Sequence, residues 1–199
     1  MKANIAIATL IASLAFSPLA TSAEKPTDKK KQTQGGLYLT AKEAFDKLEK
    51  DKESKKILFI DIRSRSEINF LGMPQLADAN IPYMNVNEWF AWDKEKQSFK
   101  MDPNNDFSTE LEQRLKDKKL AKTDEIFLMC RSGDRSSKAA DFLHKQGYTK
   151  VYSVVDGYEG DLAKDGPHKG HRTVNGWKNA NLPWTYKLEL NKMYKVATK

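Results

Sequence analysis

The chain of 199 residues has one cysteine, Cys130, and three histidines, His144, His168 and His171. A single thiol cannot close an intramolecular disulfide, so no staple framework is available. It also excludes an internal dithiol cycle, and any redox role would need an external thiol. With one cysteine and few histidines, zinc-type ligand spacing is missing. His168 and His171 form only a weak metal pair, read here as part of a solvated loop, and no metal or cofactor is expected. Long apolar runs are scarce as well. Ile5–Phe16 is too short to span a bilayer comfortably, and no other segment approaches that length. No internal repeat is visible.

What is present at the N-terminus reads as a processing signal. Lys2 precedes the apolar run, and Ser17–Ala23 supplies small residues before a cut after Ala23 or after Ala20. Residues 1–23 are therefore expected to be a signal peptide and the mature chain to be periplasmic, with no stable membrane insertion after cleavage. In an exported chain a lone thiol is a reactive group or an intermolecular partner. The formal net charge is +7, but Lys2, Lys25, Lys29, Lys30 and Lys31 all lie in the leader or the polar stretch behind it. Without them the remainder is closer to balance. No aromatic is interleaved with those lysines, so nucleic acid is not an expected partner.

Residues 24–36 lack apolar periodicity, end in Gly35–Gly36 and read as a flexible linker. The folded domain is expected over 37–187, with a polar C-terminal tail over 188–199. Thr40 and Glu43 have capping-box spacing ahead of a helix over Ala41–Lys50. Ile57–Ile62, Glu125–Met129 and Val151–Val155 are short apolar runs of buried-strand type. Leu37–Leu39 and Ile81–Val86 are weaker strand candidates. Helices are expected at Ser64–Asn69, Phe107–Lys116 and Ser136–Gln146, with Gly72–Asn80 as loop. Buried strands alternating with helices predict an α/β fold, a mostly parallel central sheet with helices on both faces. Ligands of such sheets bind beyond the carboxyl ends of the strands.

Glu125–Met129 runs directly into Cys130-Arg131-Ser132-Gly133-Asp134-Arg135-Ser136. A strand, this loop and then a helix would bring free N–H groups and a partial positive charge to the thiol. Gly133 permits the turn, and Arg131 and Arg135 add full charge. Each effect favours thiolate over thiol, the state a cysteine nucleophile needs. An inert buried cysteine would not account for two arginines, a glycine and two serines immediately after it.

Cys130–Ser136 resembles the rhodanese active-site pattern Cys-x-x-Gly-x-Arg-Ser. Asp61-Ile62-Arg63 with Glu67 is similar to the family's Asp-Val-Arg-x-x-x-Glu element, and Ala79-Asn80-Ile81-Pro82 to its Asn-Ile-Pro element. Asp156-Gly157, Gly176-Trp177 and Leu182-Pro183-Trp184 resemble the usual ending. The resemblance runs from about Leu37 to Trp184. It implies a rhodanese-like fold and transfer of sulfane sulfur from a small anionic donor such as thiosulfate, through a persulfide on Cys130, to a thiophilic acceptor. That acceptor could be a periplasmic protein. The loop amides from Arg131 to Ser136 would hold the persulfide, Arg131 and Arg135 would bind the donor, and Asp61, Arg63 and Glu67 would fix the loop by ion pairing.

The chain also departs from the pattern. Asp156 replaces the first of two glycines, residues 161–175 look inserted, and the segment 87–106 with Trp89, Phe90 and Trp92 is long. Those aromatics are expected in the core, with packing over the loop or a partner surface as the alternatives. Three rival readings are an exported redox enzyme that works with an external thiol, a non-turnover sulfur-delivery or binding module and, on a similar fold, a cysteine-dependent phosphatase or arsenate reductase. The last two place arginine six positions after cysteine. Here Ser136 stands there and Arg135 one earlier, a shorter loop that suits sulfur better than phosphate.

Overall fold

The computed structural model describes residues 23–53 and 55–195. The predicted leader falls almost wholly outside them. Strands β1 (Tyr38–Leu39), β2 (Ile57–Asp61) and β4 (Ala79–Asn80) are joined by helices α1 (Ala41–Asp51) and α2 (Arg65–Leu71), with the two-residue strand β3 (Met73–Pro74) between. Strands β5 (Met84–Val86), β6 (Trp92–Asp93), β7 (Ser98–Phe99) and β8 (Met101–Pro103) form two small antiparallel ribbons. Helix α3 (Phe107–Asp117), β9 (Glu125–Met129), α4 (Asp134–His144), β10 (Val151–Val154) and β11 (Trp184–Thr185) follow.

The main sheet is parallel throughout, in the order β1-β10-β9-β2-β4. Burial on both sides explains why β2 and β9 read as unbroken apolar runs rather than alternating ones. Their side chains divide by parity. Leu58, Ile60, Ile126, Leu128 and Cys130 face α3 and α4, where Phe107, Leu111, Leu115, Ala139 and Leu143 cover them. Ile57, Phe59, Phe127 and Met129 face α1, α2 and the fully buried Trp177. Each large side chain so buried contributes about 1.5–3 kcal/mol.

Helices α1 and α2 have reciprocal caps. Thr40 and Glu43 close a capping box on α1, and Ser64 and Glu67 close one on α2. Asp156, the departure from the double glycine, has a structural task. Its carboxylate accepts the N–H of Ala41 at 2.7 Å and of Gly176 at 3.2 Å, tying the start of α1 to the closing segment. Burial pushes this carboxyl above its ordinary value, against the hydrogen bonds it accepts from Ala41 and Gly176.

Four expectations change. The edge strand is Ala79–Asn80 rather than 81–86: Ile81 and Tyr83 still donate to β2 and its end, but Pro82 has no N–H, and the chain then leaves for the β5–β8 ribbon. Residues 24–36 pack on the domain instead of forming a detached linker. Ser137 donates to Lys30 O at 2.7 Å, Asp141 accepts the Gln34 N–H, and Lys31 pairs with Asp161 at 2.6 Å. The tail also docks: Tyr194 is buried, and Met193 bridges to Asn80. Finally, Trp89, Phe90 and Trp92 are not core. They are 87%, 66% and 50% exposed, and Phe99, stacked edge-on with Phe90 and Trp92, is half-exposed too.

Candidate active site

Cys130 follows the last residue of β9, the middle strand, and is 1% exposed. The chain leaves β2 toward one sheet edge and β9 toward the other, so the carboxyl ends of these two strands flank a topological switch point. Asp61 is in register with Met129, which puts the 61–67 element beside the thiol.

The loop turns at Gly133, whose φ of 97° is one that side chains avoid. A Cβ there would lie 2.2 Å from the Val155 carbonyl oxygen. This turn aims the Gly133 N–H at Cys130 Sγ, 3.1 Å away. Ser136 Oγ lies 3.6 Å from the same sulfur, donates to Gly133 O at 3.0 Å and is 2.9 Å from Ser153 Oγ. Helix α4 begins at Asp134, so its N-terminal turn points at the sulfur. From the other side, Tyr158 donates its N–H to Cys130 O, and Glu159 and Gly160 donate to Arg131 O. Gly157 is needed for that approach, since a Cβ there would meet the Arg131 carbonyl carbon at 2.6 Å.

The charged groups named from the sequence occupy different positions. Arg63 and Asp61 are fully buried and joined by Nη2–Oδ2 at 2.6 Å and Nε–Oδ1 at 2.9 Å. The guanidinium also donates to Gly72 O and lies 3.7 Å over the Tyr158 ring. Burial pulls Arg63 down, but Asp61 outweighs it and holds the guanidinium above its ordinary value. Glu67 does two jobs. It caps α2 and grips Arg135 through two hydrogen bonds of 2.7 and 2.5 Å. Burial pushes the Glu67 carboxyl up, yet Arg135 and Ser64 prevail and hold it at about 2. Arg135 is raised correspondingly, Glu67 overcoming the cost of burial.

Arg135 is thus committed to Glu67 rather than free for a donor. Arg131 is exposed and has no carboxylate partner among the described residues. Ser132 is half-buried at the loop's outer flank. The Asp134 carboxylate pairs with Lys138 at 3.0 Å. His168 and His171 are exposed on the 161–175 segment. Sequence reasoning missed Ser153, Tyr158 and Arg172. The first two reach the loop only through strand pairing and the turn after β10, which no local pattern announces.

A buried thiol at the carboxyl end of a parallel strand, with a loop amide on its sulfur and a helix opening behind it, is the arrangement of an α/β protein with its site beyond the strand ends. The Rhodanese-like domain family model matches residues 44–164, and the chain belongs to that family. It is similar to an uncharacterized protein RP600 homolog of Rickettsia rickettsii, 32% identical over 127 residues, which is 64% of this chain and 81% of the relative. The uncharacterized protein RC0915 of Rickettsia conorii matches equally. Among solved structures, the crystal structure of Rv0390 from M. tuberculosis is 27% identical, with a TM-score of 0.51 and coverage of 74% of this chain and 96% of that one.

Proposed function

We propose that this protein is a sulfurtransferase that carries sulfane sulfur as a persulfide on Cys130. The observation that supports this most is the Gly133 N–H held 3.1 Å from Cys130 Sγ at the start of α4. Such a donor stabilises negative charge on sulfur without supplying a proton to it. Once the thiol has ionised, the Ser136 hydroxyl turns from Gly133 O toward the sulfur and becomes a second donor. The thiolate attacks the outer sulfur of a donor such as thiosulfate. An Sγ–S bond forms, the donor's S–S bond breaks, and its electron pair leaves with sulfite. A nucleophilic acceptor such as cyanide then takes the outer sulfur and returns the thiolate.

Phosphatase or arsenate reductase chemistry is disfavoured. Position six after the cysteine is Ser136, and the neighbouring Arg135 is bound to Glu67, so no arginine at the end of the loop is free to wrap a tetrahedral oxyanion. The exposed Trp89, Phe90, Trp92 and Phe99 support a second reading, in which a partner protein docks and receives the sulfur. Export through residues 1–23 would make that partner periplasmic. Thiocyanate formation from thiosulfate and cyanide tests the enzyme directly. Turnover that vanishes in Cys130→Ser is expected. Phosphate release from an aryl phosphate, with no thiocyanate, would reverse the assignment. Transfer only to a protein acceptor would favour the second reading.

A further inference from the structure

The segment 161–175, inserted ahead of Gly176-Trp177, is built rather than loose. Ala163 donates its N–H to His171 O and accepts the Gly170 N–H on its carbonyl, and Leu162 bridges to Arg172. Its base is closed by Asn175, whose amide oxygen accepts the Asp161 N–H at 2.8 Å. Asn179 Nδ2 donates to Glu159 O, Arg172 O and Asn175 O. Lys31 fastens the segment to the N-terminal stretch through Asp161. So many fixings on a polar excursion suggest that one of its side chains has a position to keep.

That side chain is Arg172. It is half-buried, and its Nη1 donates to Gly160 O at 2.5 Å. Gly160 in turn donates its N–H to Arg131 O, so a short hydrogen-bonded relay joins the insertion to the residue after Cys130. Arg172 also shares with Ser132 the wall of a groove of about 1170 Å³ that opens beside the Cys130 loop. Neither Arg131 nor Arg172 forms an ion pair with a carboxylate among the described residues, whereas Arg63 and Arg135 both do. Burial and then the Arg131 charge pull the Arg172 guanidinium below its ordinary value, while Glu159, Asp161 and the Cys130 sulfur act against them. Two crowded guanidiniums with no carboxylate in ion-pair contact are relieved by an anion bound between them.

Building on the sulfurtransferase reading, we infer that Arg172 is a donor-binding residue that acts with Arg131 at the mouth of the Cys130 loop and selects sulfur donors with an anionic oxyanion end. With thiosulfate, Arg172 meets the sulfonate oxygens while the outer sulfur faces Cys130. The Cys130 thiolate and thiosulfate give the Cys130 persulfide and sulfite, with total charge unchanged. The charge that gathers on the departing sulfite is then held by Arg172 and Arg131, since Arg135 is occupied by Glu67.

The test uses the full mature chain with thiosulfate as donor and dithiothreitol as an uncharged acceptor, so that the two half-reactions are read separately. In Arg172→Gln, kcat/KM for thiosulfate should fall about tenfold while kcat/KM for dithiothreitol stays within about twofold, and Arg172→Lys should recover to within about threefold of the parent. Loss of one charge should also flatten the salt dependence of the donor half-reaction. An unchanged donor kcat/KM in Arg172→Gln would overturn the inference. So would a parallel fall in both half-reactions that Arg172→Lys does not repair, which marks a purely structural residue. If the parent protein itself takes no sulfur from thiosulfate, the underlying sulfurtransferase reading fails, and this is seen before any variant is made.

Discussion

Replacing Glu67 by Gln removes one charge from a bidentate, largely buried ion pair and leaves its cap on α2 nearly intact. The Glu67 and Arg135 side chains are 19% and 12% exposed, so solvent screens their interaction little. The folded chain holds the Glu67 carboxyl at about 2 against an ordinary 4.5, a difference worth about 3 kcal/mol at neutral pH. Because the folded value is the lower one, that stability is fully present above 4.5. It is lost as the pH falls through the range down to about 2, where the carboxyl protonates in the folded chain as well. Gln at 67 also strands the Arg135 charge, which makes the cost of the change a matter of an uncompensated ion rather than a lost contact. Urea unfolding of the parent and Glu67→Gln, measured from pH 7 downward, should show a gap of about 3 kcal/mol at pH 7 that narrows steadily below pH 4.5. A variant as stable as the parent at pH 7, or a gap that does not change with pH, would refute the electrostatic account of this pair.

Gly133→Ala should be among the most damaging single changes in the loop. The left-handed φ and a Cβ placed 2.2 Å from Val155 O together predict a loss of at least about 3 kcal/mol by thermal or urea unfolding. Removing the Gly133 N–H from its place should also abolish thiocyanate formation. Asp156→Ala strands the buried N–H groups of Ala41 and Gly176, and about 2 kcal/mol of destabilisation is expected by the same unfolding measurements. A near-neutral effect would mean that these two donors find other acceptors.

The parts of the fold that were legible in the sequence are those whose signal is local. Ile57–Asp61 and Glu125–Met129 are apolar on both faces because helices cover both faces, and that pattern needs no knowledge of partners. Thr40 and Glu43 announce α1 by spacing alone. Ala79–Asn80 and Met73–Pro74 gave no such signal, since a pair of residues has no period to read. The same division runs through the site. The Cys130–Ser136 loop is contiguous, so its chemistry could be argued from residue types in order. Arg135 could not be assigned correctly that way, because its partner Glu67 lies 68 positions earlier. Asp156 reads as a broken glycine pair until Ala41, 115 positions away, is seen to donate to it. Arg172 sits in a stretch whose composition suggests only a solvated loop. The exposed aromatics at 89–99 mislead in the opposite direction: large apolar side chains are usually buried, and exposure is what singles these out.

The claim that matters most is that Cys130 holds the transferred sulfur. Intact mass spectrometry of the protein after brief exposure to thiosulfate reads this directly. A gain of one sulfur atom is expected, with its loss on addition of cyanide, thiocyanate released, and no gain in Cys130→Ser. A parent protein that shows no sulfur adduct while its thiol remains alkylatable would contradict it.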